Sequence, residues 1–217
     1  MARAAPTPRN ERDVAISTDA VTLSAILGRP ATARRLVIFA HGSGSGRFSP
    51  RNQYVAHVLQ DAGCATLLPD LLTEREAQNR RLVFDIQLLA RRLRDVTAWA
   101  RNEPETTGLP IGYFGASTGA GAALVAAAFE GDQVSAIVSR GGRPDLADGA
   151  LPNVTAPTLL IVGGYDQPVI ALNEQAYDQL QTTKKLVIVP RATHLFEEPG
   201  TLEEVARLAS EWFDQYL

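Results

Sequence analysis

The sequence is short of cysteine, histidine and long apolar runs, and each shortage removes a class of function. Cys64 is the only cysteine among 217 residues, so neither an intramolecular disulfide nor a cysteine-rich metal site can form. A reducing, cytoplasmic setting is the simplest expectation. The histidines are His41, His57 and His194; they are scattered and show no H-E-x-x-H spacing, so no metal and no other cofactor is expected. The longest apolar run, Ala122 to Phe129, falls far below the length of a membrane span, and no membrane association is expected. The opening MARAAPTPRNERD lacks the apolar stretch of a secretory signal. Residues 1–11 are therefore expected to be a flexible end and residues 12–217 one folded domain.

A surplus of either charge is also missing. Twenty-one basic residues face 24 acidic ones, a formal net charge of −3, and the arginines are interleaved with acids. Without a basic stripe, nucleic acid is not an expected partner.

What the sequence does hold is a regular alternation. Eight short β-rich runs (14–17, 21–27, 36–40, 65–68, 111–114, 136–139, 158–162 and 186–189) alternate with longer helical patterns. Continuous apolar runs such as LVIF, TLLIV and KLVIV predict strands covered on both faces of a mainly parallel sheet. The first two runs, joined by Thr18-Asp19-Ala20, predict an antiparallel hairpin. The fold class is α/β, with helices on both faces of the sheet. Ser49 followed by Pro50 predicts a helix start, and Gly63 its end. Leu82, Ile86, Leu89, Leu93, Val96 and Ala100 step by four and three, which predicts one long surface helix. Thr201 with Glu204 predicts a capping box for a last helix.

Residues 115–119 read GASTG. A strand pattern, IGYF, precedes them and an alanine-rich helix pattern follows from Thr118, the context in which a G-x-S-x-G serine is exposed on a sharp strand-to-helix turn. Ser117 is the candidate nucleophile. Gly115 and Gly119 remove the side chains that would collide with the neighbouring strand and helix. Gly121, inside the helix, costs about 1 kcal/mol of propensity, which close packing against the sheet would offset. The structural alternative is that Ser117 only caps the helix.

This arrangement resembles the α/β-hydrolase superfamily, and the chain as a whole is most similar to its dienelactone hydrolase-like members, which lack a separate lid. The resemblance extends beyond GASTG to VIFAHGSGSG, ATLLPDLLT, TLLIVGGYDQPV and VIVPRATHLFEEPG, nearly the whole domain. It implies a single-domain fold with an eight-stranded, mostly parallel sheet and no cap domain. It also implies a nucleophile, acid and histidine in that chain order. Asp166, in GGYDQP after the seventh strand, is the candidate acid, its alternative being a turn aspartate before a helix. Asp145 and Asp148 are reserve acids. His194, in PRATHLF, lies downstream of both partners and is the candidate base. His57 is expected on a helix surface, and His41 is expected to hold the HGSGSG loop by hydrogen bonds.

By the same resemblance, the backbone N–H groups of Ser43 and Thr118 would form the oxyanion hole, and Gly42, Gly44 and Gly46 would let the loop approach substrate closely. That loop has neither G-x-G-x-x-G spacing nor a Walker lysine, which argues against nucleotide binding. Arg140 and Arg143 would bind a substrate carboxylate or pair with Asp145 or Asp148, and Arg47 is open between the same two roles. LLTEREAQNR, residues 71–80, reads first as a solvated loop or helix start and second as a flank of the entrance. Founding members of the family use cysteine where this chain has Ser117, so the expected activity is a serine carboxylesterase on small or short-acyl esters. Lactone and thioester hydrolysis use the same machinery, and a ligand-binding protein on this fold is the non-enzymatic alternative. Oligomeric state is open between monomer and homodimer.

Overall fold

Strand-forming runs and helical stripes alternate along the chain, and in the computed structural model, which describes residues 10–217, the strands join into one eight-stranded sheet. The strands are β1 Glu11–Ser17, β2 Thr22–Gly28, β3 Arg35–Ala40, β4 Cys64–Pro69, β5 Ile111–Ala116, β6 Ala136–Arg140, β7 Thr158–Gly163 and β8 Lys184–Val189. Their order is β1-β2-β4-β3-β5-β6-β7-β8. β1–β2 and β2–β4 pair antiparallel, and every other pair is parallel. The Thr18 hydroxyl closes the first hairpin by donating to the Val21 carbonyl at 2.8 Å and accepting its N–H at 3.1 Å. Of the segment expected to be a flexible end, residues 1–9 lie outside the described residues. Glu11, assigned to that end from sequence, instead pairs with Gly28 in β1.

Among the described residues, seven α-helices pack around the sheet: α1 Pro50–Asp61, α2 Glu74–Ala77, α3 Arg80–Val83, α4 Ile86–Asn102, α5 Thr118–Glu130, α6 Gln167–Gln179 and α7 Thr201–Tyr216. Alternate residues of β3 divide the core into two layers. Leu36 and Ile38 join the cluster under α4 and α5, with Leu93 and Val96, while Val37 and Phe39 join the cluster under α1 and α7, with Leu59 and Phe213. Each of these side chains is essentially sealed from solvent. Burying one contributes about 1.5–3 kcal/mol relative to leaving it exposed.

Four expectations from the sequence differ from the fold. Leu82 does not belong to the long helix: Asp85 caps α4 by accepting the Leu88 N–H at 2.9 Å, and Leu82 sits in the separate turn of α3, capped by Asn79. Thr201 and Glu204 form no capping box. The N-cap is Gly200 at φ 83°, the Thr201 hydroxyl donates to the Glu198 carbonyl at 2.7 Å, and the Glu204 carboxylate accepts from Arg207. Finally, β8 is an edge strand in which only Val189 is buried, so its apolar run is not covered on both faces. Gly121 is closely packed, but against the Arg143 carbonyl and the Leu146 side chain instead of the sheet.

Candidate active site

The chain turns tightly where β5 passes into α5, Ala116 ending the strand and Thr118 beginning the helix. Ser117 at this apex has φ 50° and ψ −123°, a backbone conformation that costs a residue bearing a side chain on the order of 1–3 kcal/mol. Three hydrogen bonds hold it there. Its N–H donates to the Arg140 carbonyl at 3.2 Å, and its carbonyl accepts from the N–H groups of Ala120 and Arg143, both at 3.0 Å. The flanking glycines are sterically required: a Cβ at Gly115 would lie 2.5 Å from the Ala120 Cα, and one at Gly119 would overlap the Ala40 and His41 carbonyl oxygens. Ser117 occupies the N-cap position of α5 but makes no side-chain cap bond. Its hydroxyl is instead 3.3 Å from His194 Nε2.

Asp166 stands at the N-cap position of α6, and its carboxylate also leaves the cap unmade, turning to meet His194 Nδ1 at 2.6 Å. The β7–α6 turn that presents it is stitched to the neighbouring loop: the Gly164 N–H donates to the Val189 carbonyl at 2.8 Å and the Tyr165 N–H to the Ala192 carbonyl at 2.9 Å. The histidine loop is fixed from below. Phe196, at φ 54°, is buried in the core under α7, and the Glu198 carboxylate accepts the Thr193 N–H at 3.0 Å, which holds its carboxyl below the usual range. Three residues far apart in sequence therefore meet in one half-buried hydrogen-bonded chain, Ser117–His194–Asp166. An imidazole so placed can take a proton from the hydroxyl, and a carboxylate so placed can orient the imidazole.

The glycine loop between β3 and α1 lies against this chain. A Cβ at Gly42 would be 3.1 Å from the Ser117 Cβ, so the two backbones nearly touch. The neutral His41 ring anchors the loop: Nε2 accepts the Leu71 N–H at 3.0 Å, so Nδ1 carries the proton and donates to the Gly42 carbonyl at 3.0 Å. Burial lowers the His41 pKa. Thr118, the first residue of α5, has no helical acceptor for its N–H, as expected of a helix start. The Ser43 N–H, by contrast, already has an acceptor, the Thr118 hydroxyl at 3.0 Å.

A cavity of about 450 Å³ opens beside the loop, bounded by residues 41–45, by Arg47 and Phe48, and by Leu72, Ala77, Val83 and Leu89. The segment 71–80, read first as a solvated loop or helix start and second as a flank of the entrance, contributes Leu72, Glu74 and Ala77 to its lining. Thr73 and Glu76 close a capping box that builds α2, and this signal was present in the sequence as T-x-x-E. Arg47 lines the cavity with its charge committed to Asp70 and its guanidinium 4.2 Å over the Phe48 ring.

The other two arginines do not line it. Arg143 makes a bidentate pair with Asp145 at 2.8 and 2.7 Å. Arg140 is buried beside α1, with Nη2 3.4 Å from Asn52 Oδ1 and with Nε and Nη1 unpartnered; burial and the nearby Arg51 lower its pKa to about 10. Asp145 and Asp148 take no part in the serine–histidine chain. His57 lies on the outer face of α1, paired with Glu11 at 3.0 Å. The Cys64 thiol is buried and pushed up to about 11 by desolvation, which leaves it inert as a nucleophile. Among the described residues, no group of three or more His, Cys, Asp or Glu side chains could hold a metal ion, and no helix is long and apolar enough to cross a membrane.

Comparison with known proteins agrees with this architecture. Residues 23–216 match the dienelactone hydrolase family. A dienelactone hydrolase from Anabaena variabilis is 62% identical, with a TM-score of 0.94 over 96% of this chain and 99% of that one. Two proteins from strains of Mycobacterium tuberculosis, provisionally named phosphoribosyl transferases, are 58% identical over 214 residues. That match takes in 99% of this chain and 48% of theirs, so the chain spans about half the length of these curated relatives. Est1E from Butyrivibrio proteoclasticus, at 19% identity and TM-score 0.80 over 94% of this chain and 98% of that one, shares the fold alone.

Proposed function

The chain belongs to the dienelactone hydrolase family and has its α/β-hydrolase fold, and from that premise we propose that it is a serine hydrolase of small or short-acyl carboxylic esters. The observation that carries this reading is the continuous hydrogen-bonded chain from Ser117 Oγ through His194 to Asp166, at 3.3 and 2.6 Å. As the ester carbonyl is attacked, His194 Nε2 takes the Ser117 proton, Asp166 holds the Nδ1 proton of the resulting imidazolium, and the serine oxygen bonds to the carbonyl carbon. The developing oxyanion lies between the Thr118 N–H and the loop at Ser43. His194 then returns its proton to the leaving alcohol, leaving an acyl-enzyme. A water deprotonated by His194 releases the acid. No cofactor enters any step. The half-apolar cavity beside the loop is of a size for a modest acyl or alcohol group.

A second reading, lactone hydrolysis, is favoured by the name of the Anabaena protein at 62% identity. The phosphoribosyl transferase name belongs to proteins about twice as long and supports no transfer reaction in this chain. The test is incubation with a fluorophosphonate probe and with acetyl to octanoyl p-nitrophenyl esters and a dienelactone, beside Ser117→Ala. Labelling and turnover lost in the variant support the reading. A wild type that neither labels nor turns over any of these would favour the binding-protein alternative, and full turnover by Ser117→Ala would remove the nucleophile.

A further inference from the structure

Residue 118 does two things at once in the folded chain. Its N–H, at the first position of α5, is free of any helical acceptor, and its hydroxyl oxygen accepts the N–H of Ser43 from across the site at 3.0 Å. The side chain is almost wholly buried, at 3% exposure, between the elbow and the glycine loop. Among the described residues no acceptor takes its hydroxyl proton. A hydroxyl carries one donor and two acceptor sites. With an acceptor site filled by Ser43, the unused function is the donor, carried by one of the two residues that bracket the carbonyl oxygen in the proposed reaction.

We propose that the Thr118 hydroxyl is itself an oxyanion donor, so that residue 118 supplies two donors, main chain and side chain. Ser43 contributes through the hydroxyl, not by direct contact. This deepens the serine-hydrolase reading and rests on it.

The physical case is one of competition. An N–H has a single proton to give. The Ser43 proton points at Thr118 Oγ1, and an oxyanion could claim it directly only if that bond broke, leaving a buried hydroxyl oxygen without its donor. Keeping the bond costs nothing of the kind, and it has a benefit. Donation from Ser43 polarises the O–H bond, which strengthens the hydroxyl as a donor in turn. The same bond ties the loop to the elbow, fixing the hydroxyl before substrate arrives.

The step balances without any change at Thr118. On attack, the Ser117 Oγ–H proton moves to His194 Nε2, a bond forms from Oγ to the carbonyl carbon, and the carbonyl π pair moves onto its oxygen. The Thr118 N–H and O–H both donate to that oxygen and keep their protons. When the intermediate collapses, the pair returns to re-form the carbonyl, and the alcohol leaves with the proton from His194. A β-branched residue suits this task because its side chain has few rotamers to choose from.

The test compares wild type, Thr118→Val and Thr118→Ser, using the second-order rate of fluorophosphonate labelling at Ser117 together with kcat and KM for the best p-nitrophenyl ester. Valine keeps the shape, removes the donor and frees the Ser43 N–H. The expected result is a loss of roughly a hundredfold in labelling rate and kcat, with KM changed less than about threefold, and recovery of most of the loss by Thr118→Ser. Thr118→Cys, with a weak thiol donor, should fall between these and stands in for valine if that variant does not fold. A labelled wild type with Thr118→Val equally fast or faster would overturn the proposal and make the Ser43 N–H the direct donor. A folded Thr118→Ser as slow as Thr118→Val would also overturn it. A wild type with neither labelling nor turnover would instead sink the hydrolase reading beneath it.

Discussion

The elbow at Ser117 and the wall formed by residues 71–83 stand on either side of the glycine loop, and they are built on opposite principles. The elbow is over-determined. A strained serine is held by three backbone hydrogen bonds and by contacts so close that only glycine fits at 115 and 119. The wall is made of two single-turn helices, each held by local caps at Thr73 and Asn79, and none of their residues is fully buried. The proposed serine hydrolysis needs Ser117, His194 and Asp166 fixed to fractions of an ångström. Selection among substrates is read by a surface that can change residue by residue without disturbing that geometry.

The contrast can be broken most severely at its rigid end. Ser117→Ala should reduce ester turnover and fluorophosphonate labelling roughly 10⁴-fold or more, while a thermal melt shows a fold about as stable, because alanine keeps the Cβ and loses only a hydroxyl that makes no cap bond. Gly119→Ala drives a methyl group into the Ala40 and His41 carbonyl oxygens, backbone atoms that have nowhere to go. A stability loss of at least about 2–3 kcal/mol, read by chemical denaturation, is expected.

His41 links the two regions, joining the loop at Gly42 to the wall at Leu71, and it makes the link sensitive to pH. Burial lowers its folded pKa, so as pH falls below the unfolded histidine value the unfolded chain takes up a proton that the folded chain refuses. Stability contributed by neutral His41 is therefore complete above about pH 7 and declines toward pH 5. Denaturation midpoints across that range should show this slope. His41→Ala should be less stable at neutral pH but should flatten the decline, and an unchanged slope would remove His41 as its source.

The adaptable end should respond more gently. Val83→Phe narrows the cavity and should lower kcat/KM for octanoyl relative to acetyl esters by roughly tenfold, the discrimination available to an apolar pocket. Thr73→Ala removes the cap of α2 and should cost about 1 kcal/mol, with a shift in acyl preference larger than any change in Ser117 labelling.

The same contrast explains what could be read from sequence. β3, β5 and β7 announce themselves because burial on both faces leaves them almost wholly apolar, and GASTG does so because a strained turn has few sequence solutions. His41 as a loop anchor was legible for a similar reason, since a histidine ending a strand beside glycines has carbonyls to bind. The wall was not, because helices of one turn are too short to show a period and are written only in their caps. β8 misled because an apolar run does not reveal whether a further strand or helix covers it. Thr201 and Glu204 had the right spacing for a capping box, but Gly200 and Arg207 took their places. The Ser43–Thr118 bond joins residues 75 apart and has no local signature.

The central claim is that Ser117 is made reactive by His194, and mass-spectrometric mapping of a fluorophosphonate adduct tests it most directly. The account predicts one adduct per chain, on Ser117, formed at least about a hundredfold more slowly in His194→Ala. An adduct on another residue, or labelling of Ser117 at an undiminished rate without His194, would contradict it.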